Sequence, residues 1–323
     1  MKYIIKKYEA SHAEIWDEFI SRTANGTFLH RRLYMDYHAH LFDDFSWMIF
    51  EDNKLKAVLP AHRKGEDVFA HNGLTYSDFL FHFKLKLEHK VEIIQQVLAQ
   101  FSEWGIRRLV VKDIPFVFHR YIDQSNAYIY HQLQAKITRV KPFFVWIKNN
   151  EIKVNRNRLK NIKKLEVCHN YIIDTNPAKL SDFWKIVEQN LHERYESRPV
   201  HSFEDMQLLM KRFPHRIRLY TLQENNKMLA GALVYYINKA MHFQYIHSVP
   251  ESADRMAVEW LTYQVFVHNS DMEYISFGTS ATADNNLLKG LVYWKQSFGA
   301  TLVNQYVFDI PVSNYPLLKN LLQ

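Results

Sequence analysis

The chain has 323 residues, 41 Lys/Arg against 34 Asp/Glu for a formal net charge of +7, 47% hydrophobic and 15% aromatic residues, and only 8 glycines, where average usage of roughly 7% would give about 23. Gly26, Gly65, Gly73, Gly105, Gly231, Gly278, Gly290 and Gly299 are too dispersed to write GxGxxG or a Walker-type GxxxxGKS/T, which excludes dinucleotide and P-loop phosphate sites. The length predicts two domains, the single Cys168 excludes an internal disulfide, the first residues reach charge too early for a signal peptide, and no apolar run approaches the ~18 residues of a spanning helix, so a cytoplasmic protein with at most peripheral membrane contact is expected.

In chain order, YIIKKY (3–8) predicts a strand, helices follow near 11–21 and 31–41, and strands at 45–52, 54–62 and 67–71. After a polar, aromatic loop, HNGLTYSDFLF, comes a helix with Ile94, Val97, Leu98 and Phe101 on one face. Then come a strand at 107–113, a turn or short helix after Pro115, and strands within 127–147. Residues 153–164 (KVNRNRLKNIKK) hold six Lys/Arg and no acid, which is +6 of the net +7. Leu159, Ile162 and Leu165 predict a helix here with one apolar stripe, its cationic remainder either a solvated face or a contact for phosphates.

The second half reads as a strand at 171–174, a helix from Pro177 to about Glu193, and a helix carrying Phe203, Met206, Met210 and Phe213. Strands at 217–222, 228–237 and 241–248 follow, joined by hairpin-sized turns. A helix from about Asp254 to His268, a strand at 273–278, a helix from Asp284 to Ser297 and a strand at 300–310 complete the chain. The order βααβββαβαβ recurs in the two halves, which predicts a structural duplication of an α/β unit with mixed sheets, domains 1–150 and 151–323.

That element order resembles the Gcn5-related N-acetyltransferase (GNAT) fold, and two in tandem resemble the FemAB-like transferases. RPVHSFEDMQLLMKRFPHRIRLY (198–220), LAGALVYY (229–236), HFQYIHS (242–248), YISFGTS (274–280) and GLVYWKQSFGA (290–300) are similar to GNAT-like, FemAB-related proteins associated with bacterial surface-polysaccharide biosynthesis. NGLTYSDF (72–79), VKDIP (111–115) and RNRLKNIKK (156–164) extend the resemblance over nearly the whole chain. Two positions depart from it. Ser276 stands where relatives carry an acid before Phe-Gly, and Ser77-Asp78 where they carry Gly-Gly.

The resemblance implies acyl transfer, with acyl-CoA as co-substrate lying where HFQYIHS splays from its neighbour and its pyrophosphate at the next helix start, near Ser252, Ala253 and Arg255. The family's usual glycine-bearing loop is missing from VPESADRMA. Gln244 and Tyr245 alternate across the strand, so only one should face the cleft. Tyr245 can protonate a leaving group, or simply fill core. His201, His242 and His247 are candidate bases, His201 foremost because it lies in a loop between two helices. Arg198 and Ser248 join the substrate-binding candidates.

Gly278, Thr279 and Ser280 can cradle a ligand, or serve as a turn leading to an N-cap at Asp284. In the last helix the resemblance implies Tyr293 near the leaving thiol and Lys295 at a phosphate or oxyanion; the residue pattern alone leaves both facing water while Trp294 and Phe298 are buried. Asn72 and Tyr76 suit a wall of the acceptor site. No HExxH, GxSxG or nucleic-acid module is present, and no metal is expected. The expected function is transfer of an acyl group to an amino group, on a small-molecule or lipid-linked amino sugar of a surface polysaccharide precursor. A FemAB-type transfer from charged tRNA to a cell-wall precursor is the alternative that the basic helix favours, and a non-catalytic binding protein on the same fold is the third.

Overall fold

A computed structural model describes residues 2–151, 153–282 and 284–321, the side chains of 194, 195 and 253–255 lying outside the described set. The chain forms two compact units, Met1–Lys141 with Asn304–Gln323, and Pro142–Val303. The last strand thus contributes most of its length, from Asn304 on, to the first unit, although its sequence position suggested the second.

The first unit comprises strands β1 (Ile4–Lys7), β2 (Trp47–Glu51), β3 (Lys54–Leu59), β4 (His62–Lys64), β5 (Asp67–Phe69), β6 (Leu80–Phe81) and β7 (Arg108–Lys112), with helices α1 (Ala13–Ile20), α2 (Arg32–Met35), α3 (Leu87–Glu103) and α4 (Ser125–Gln132). One sheet runs β1-β2-β3-β6, and β4-β5-β7 join the chain's last strand in another. The core gathers Ile94, Val97, Leu98 and Phe101 of α3, the face read from the sequence, against Trp47, Ile49, Leu109 and Val111. The strands expected within 127–147 are corrected to α4 followed by β8 (Lys136–Ile147). Tyr128, Ile129 and Tyr130 are strand formers by type, but Asp123 accepts the Ser125 amide at 3.0 Å to start a helical turn, and burial of Ile129 and Tyr130 holds it.

The second unit contains α5 (Arg156–Cys168), β9 (Ile172–Asp174), α6 (Leu180–Tyr195), α7 (Phe203–Arg212), β10 (Ile217–Glu224), β11 (Lys227–Ile237), β12 (Ala240–Ser248), α8 (Ala257–His268), β13 (Tyr274–Thr279), α9 (Lys289–Gln296) and the start of β14 (Thr301–Pro311). Its strand order is β8-β13-β12-β11-β10-β9. Only the β12–β13 pair is parallel; the hairpins β10–β11–β12 are antiparallel as their short turns require. Ala230, Ala232 and Val234 of β11 pack with Leu261 and Val265 of α8. On the opposite face of β11 Gly231 lets α6 come close: a Cβ there would lie 2.2 Å from the Phe183 ring.

Two helix starts differ from the sequence expectation. α8 begins at Ala257, after a 3-10 turn over Pro250–Arg255 and a left-handed Met256. α9 begins at Lys289, because Ala281 bridges Leu287 and the Thr282 amide donates to the Asn286 carbonyl at 2.9 Å, forming a small hairpin. Its N-cap is Leu288, so Asp284 does not cap it.

Candidate active site

β12 and β13 are paired only through Ala240–Tyr274, Met241–Ile275 and His242–Ser276. Beyond these rows they part. A cavity of about 530 Å³ opens there, walled by Phe243–Ser248 of β12, Phe277 of β13, Val258 and Glu259 of α8, and Gly290, Leu291, Trp294 and Lys295 of α9, with Asn190 of α6.

The register shifts at this point: Leu233 faces Tyr245 while Val234 faces Phe243, leaving Gln244 as the extra residue of a β-bulge. A bulge interrupts the two-residue alternation and re-aims the side chains beyond it. The expectation that Gln244 and Tyr245 exclude one another from the cleft is therefore corrected; both line the cavity. Without the bulge Tyr245 would share the face of Met241 and Phe243, which pack in the α8 core. With it, Tyr245 turns to α6, where its ring meets Trp184 edge-on with centroids 5.1 Å apart.

On that face the Tyr245 hydroxyl lies 2.9 Å from His201 Nδ1, both residues being buried. Their sequence separation is 44, spanned by α7 and the first two hairpin strands. His201 is fixed just ahead of α7 by the following Ser202, whose side chain accepts the Asp205 amide while Asp205 accepts the Ser202 amide. Burial pushes the Tyr245 phenol up to about 12, so it stays protonated at neutral pH. His242 Nδ1 lies 3.0 Å from Ser276 Oγ. Burial, and then the charge of Lys295, pull His242 down to about 4, so it is a neutral imidazole near pH 7.

Lys295 is the second centre. Only 4% exposed, it donates from Nζ to the Gly278 carbonyl at 3.1 Å and the Thr279 carbonyl at 2.5 Å. Burial pulls its pKa down to about 7. The left-handed Gly278 (φ +69°) turns these carbonyls toward it, and the Gly278 amide donates to Ser276 Oγ at 3.3 Å. Ser276, the residue standing in place of the expected acid, thus joins His242 to this turn without bringing a charge. Ser280 is buried and its hydroxyl has no partner among the described residues.

The structure thus brings Gln244, Tyr245, Ser248 and Lys295 to one cavity, with His201 bonded to Tyr245 and Gly278 and Thr279 to Lys295. The other candidates lie elsewhere. Tyr293 is 68% exposed, one residue before Trp294 and on the other side of α9, so it is not at the cavity wall; this corrects the implied approach to a thiol, and Lys295 is buried where the residue pattern alone had it in water. Arg198 is exposed in the α6–α7 connection. Ser252 Oγ is spent on the Val249 and Leu229 carbonyls at 2.8 and 3.2 Å, and the side chains of Ala253 and Arg255 lie outside the described residues. Asn72 and Tyr76 belong to the first unit, Asn72 exposed and Tyr76 buried against Phe118, so Tyr76 is core and not a site wall.

Several wall residues were not candidates in the sequence, Glu259, Asn190 and Trp294 among them. Trp294 Nε1 donates to Glu259 Oε1 at 3.1 Å, and Arg158 of α5 pairs with the same carboxylate at 3.4 Å. Asn190 Nδ2 bonds the Ser248 carbonyl at 2.9 Å, holding α6 to the end of β12. Each serves tertiary contacts that no local pattern announces. Among the described residues no cluster of His, Cys, Asp or Glu is arranged to hold a metal ion, and no helix is long and apolar enough to cross a membrane.

Residues 150–286 match the family described as an acetyltransferase (GNAT) domain. No curated protein matches the chain. Among solved structures, FemX is similar over 97% of this chain and 98% of its own, with a TM-score of 0.67 and 12% identity. The C-terminal domain of a putative lysylphosphatidylglycerol synthetase from Agrobacterium fabrum matches over 95% of this chain and 94% of its own (TM-score 0.60, 11% identity). A tandem GNAT protein from the clavulanic acid biosynthesis pathway matches over 95% and 97% (TM-score 0.52, 9% identity). Residues 150–286 thus match a GNAT acetyltransferase domain, and the whole chain shares the fold of FemX and of a tandem GNAT protein.

Proposed function

We propose that the protein transfers an acyl group from acyl-CoA to an amino group, the acceptor being an amino sugar of a surface polysaccharide precursor. The observation that carries this reading is Tyr245, hydrogen-bonded to His201, on the wall of the cavity opened by the parting of β12 and β13. Acyl transfer requires that the amine lose a proton, that the departing group gain one and that the oxyanion be stabilised. Tyr245, held as a neutral phenol, donates to the departing group. His201 returns a proton to Tyr245 and receives the one shed by the amine. Lys295, aimed by two carbonyls, has a further N–H for the oxyanion.

The fit to acyl-CoA is uneven along its length. Past His242 the β12 backbone no longer pairs with β13, and that edge suits the amide-bearing arm of a thioester donor. At the phosphate end, residues 249–256 contain no glycine and Ser252 is internally bonded, which leaves the first amides of α8 to meet the charge. The second reading, transfer from charged tRNA, is favoured by α5: Arg156, Lys160, Lys163 and Lys164 are exposed on the stripe opposite buried Ile162. Thermal-shift titration separates the readings. Stabilisation by acetyl-CoA and CoA, with acetyl transfer to an amino sugar lowered about 100-fold in Tyr245→Phe, supports the first; stabilisation by charged tRNA alone overturns it.

A further inference from the structure

We propose that the second unit carries another ligand site, a groove for a single-tailed anionic amphiphile with a carboxylate head. The groove is about 830 Å³, larger than the cavity beside Tyr245, and shares no lining residue with it. That volume is within the usual range of small-molecule sites. It lies between the start of α6, one face of α7 and the first residues of β10. Leu180, Met210, Ile217 and Tyr220 form a buried apolar floor.

Charge gives the groove a preference for anions. Lys211, Arg218 and His268 line it, and none of its described lining residues is an Asp or Glu. Arg218 is held beside a hydrogen-bonded chain: its guanidinium sits 5.2 Å from the centre of the Tyr236 ring, and the Tyr236 hydroxyl bonds that of Tyr220 at 2.8 Å and donates to Asn269 at 2.8 Å. Pro177 and Ala178 add further uncharged wall. An alkyl chain needs no hydrogen bonds from such a floor, and Met210 adapts to it. A carboxylate at its end meets guanidinium and ammonium donors, which bind anions through charge-assisted hydrogen bonds.

The site is independent of the acyl-transfer reading, and it is tested by binding alone. Isothermal titration of the full chain with dodecanoate, dodecan-1-ol, dodecyltrimethylammonium and a Glu-rich peptide uses ligands that differ in head group or tail. Saturable binding of one dodecanoate is expected, with the alcohol about tenfold weaker and no binding of the ammonium amphiphile or the peptide. The exposed double substitution Arg218→Glu with Lys211→Glu should weaken dodecanoate at least about tenfold, and Met210→Trp, which fills the floor, should abolish binding while each variant keeps its melting transition. Absence of dodecanoate binding, equal binding by the charge-reversed variant, equal binding of the cationic amphiphile, or binding of the peptide in place of dodecanoate each overturns the proposal.

Discussion

Lys295 commits two of its N–H groups to the carbonyls of Gly278 and Thr279, so its ammonium form is held with the remaining donor available. Burial works against that form and brings its pKa down to about 7. If the third donor stabilises an oxyanion, only the protonated lysine is active, and turnover should fall as pH rises through about 7. Lys295→Met should lower turnover by roughly 10²–10³. Lys295→Arg keeps a charge that does not titrate in this range, so its residual activity should lose the alkaline fall. A pH–rate profile checks this, and an alkaline limb that persists unchanged in the arginine variant would sink the role. Tyr245 and His201 were legible singly, as a strand tyrosine and a loop histidine. Their pairing was not, because it depends on a bulge that inserts one residue opposite Leu233 and Val234. Nothing in HFQYIHS marks a bulge, and without one a strict two-residue period assigns Tyr245 to the wrong face.

At the scale of elements, the close approach of α6 to β11 rests on Gly231. A methyl group there would stand 2.2 Å from Phe183 Cδ2 and 2.5 Å from Cε2, and Phe183 is fully buried, so the ring has little room to give. Gly231→Ala should therefore cost about 1–3 kcal/mol by overpacking, read as a lower urea midpoint at unchanged slope. Phe183→Leu in the same background should recover part of the loss; no recovery would show that the strain lies elsewhere. The elements themselves were largely readable. Helical spacing located α6 and α7 to within a few residues and identified the buried face of α3, and the turns at 224–227 and 238–239 located the hairpins, because period and punctuation are local properties. Where a tertiary contact overrode local preference the reading slipped. The strand-forming types in α4 are of this kind, whereas the 3-10 turn ahead of α8 and the Ala281–Leu287 bridge that delays α9 are local turns without a residue signature. The exchange that gives the end of β14 to the first unit has no local signature either, since β7 and β14 pair across about two hundred residues.

At the scale of the whole molecule, four of the 17 histidines couple stability to pH. Burial is the largest cause that pulls His30, His62 and His242 down to about 4 and His71 to about 2. Each would titrate near 6.5 once unfolded. Between the folded and unfolded values the unfolded chain binds more protons, so these groups make stability fall as pH falls below about 6.5. Two buried carboxyls act in the opposite sense. Asp78 is raised to about 6 and Asp113 to about 7, again chiefly by burial; they hold protons in the folded state that the unfolded chain releases above about 4, so they favour the fold as pH falls through the same range. At pH 5 these six groups by themselves leave roughly two protons taken up on unfolding, a slope of about 3 kcal/mol per pH unit; His82 and His119, also lowered by burial, add to the imidazole side, and Asp17 and Asp36, raised by burial, to the carboxyl side. Urea denaturation at pH 6.5 and 5.0 should show the midpoint falling on acidification, and His71→Asn should flatten the dependence by about one proton. A midpoint that rises or stays level between these pH values would mean that the carboxyls outweigh the histidines, and that the buried imidazoles are protonated at less cost than their surroundings imply.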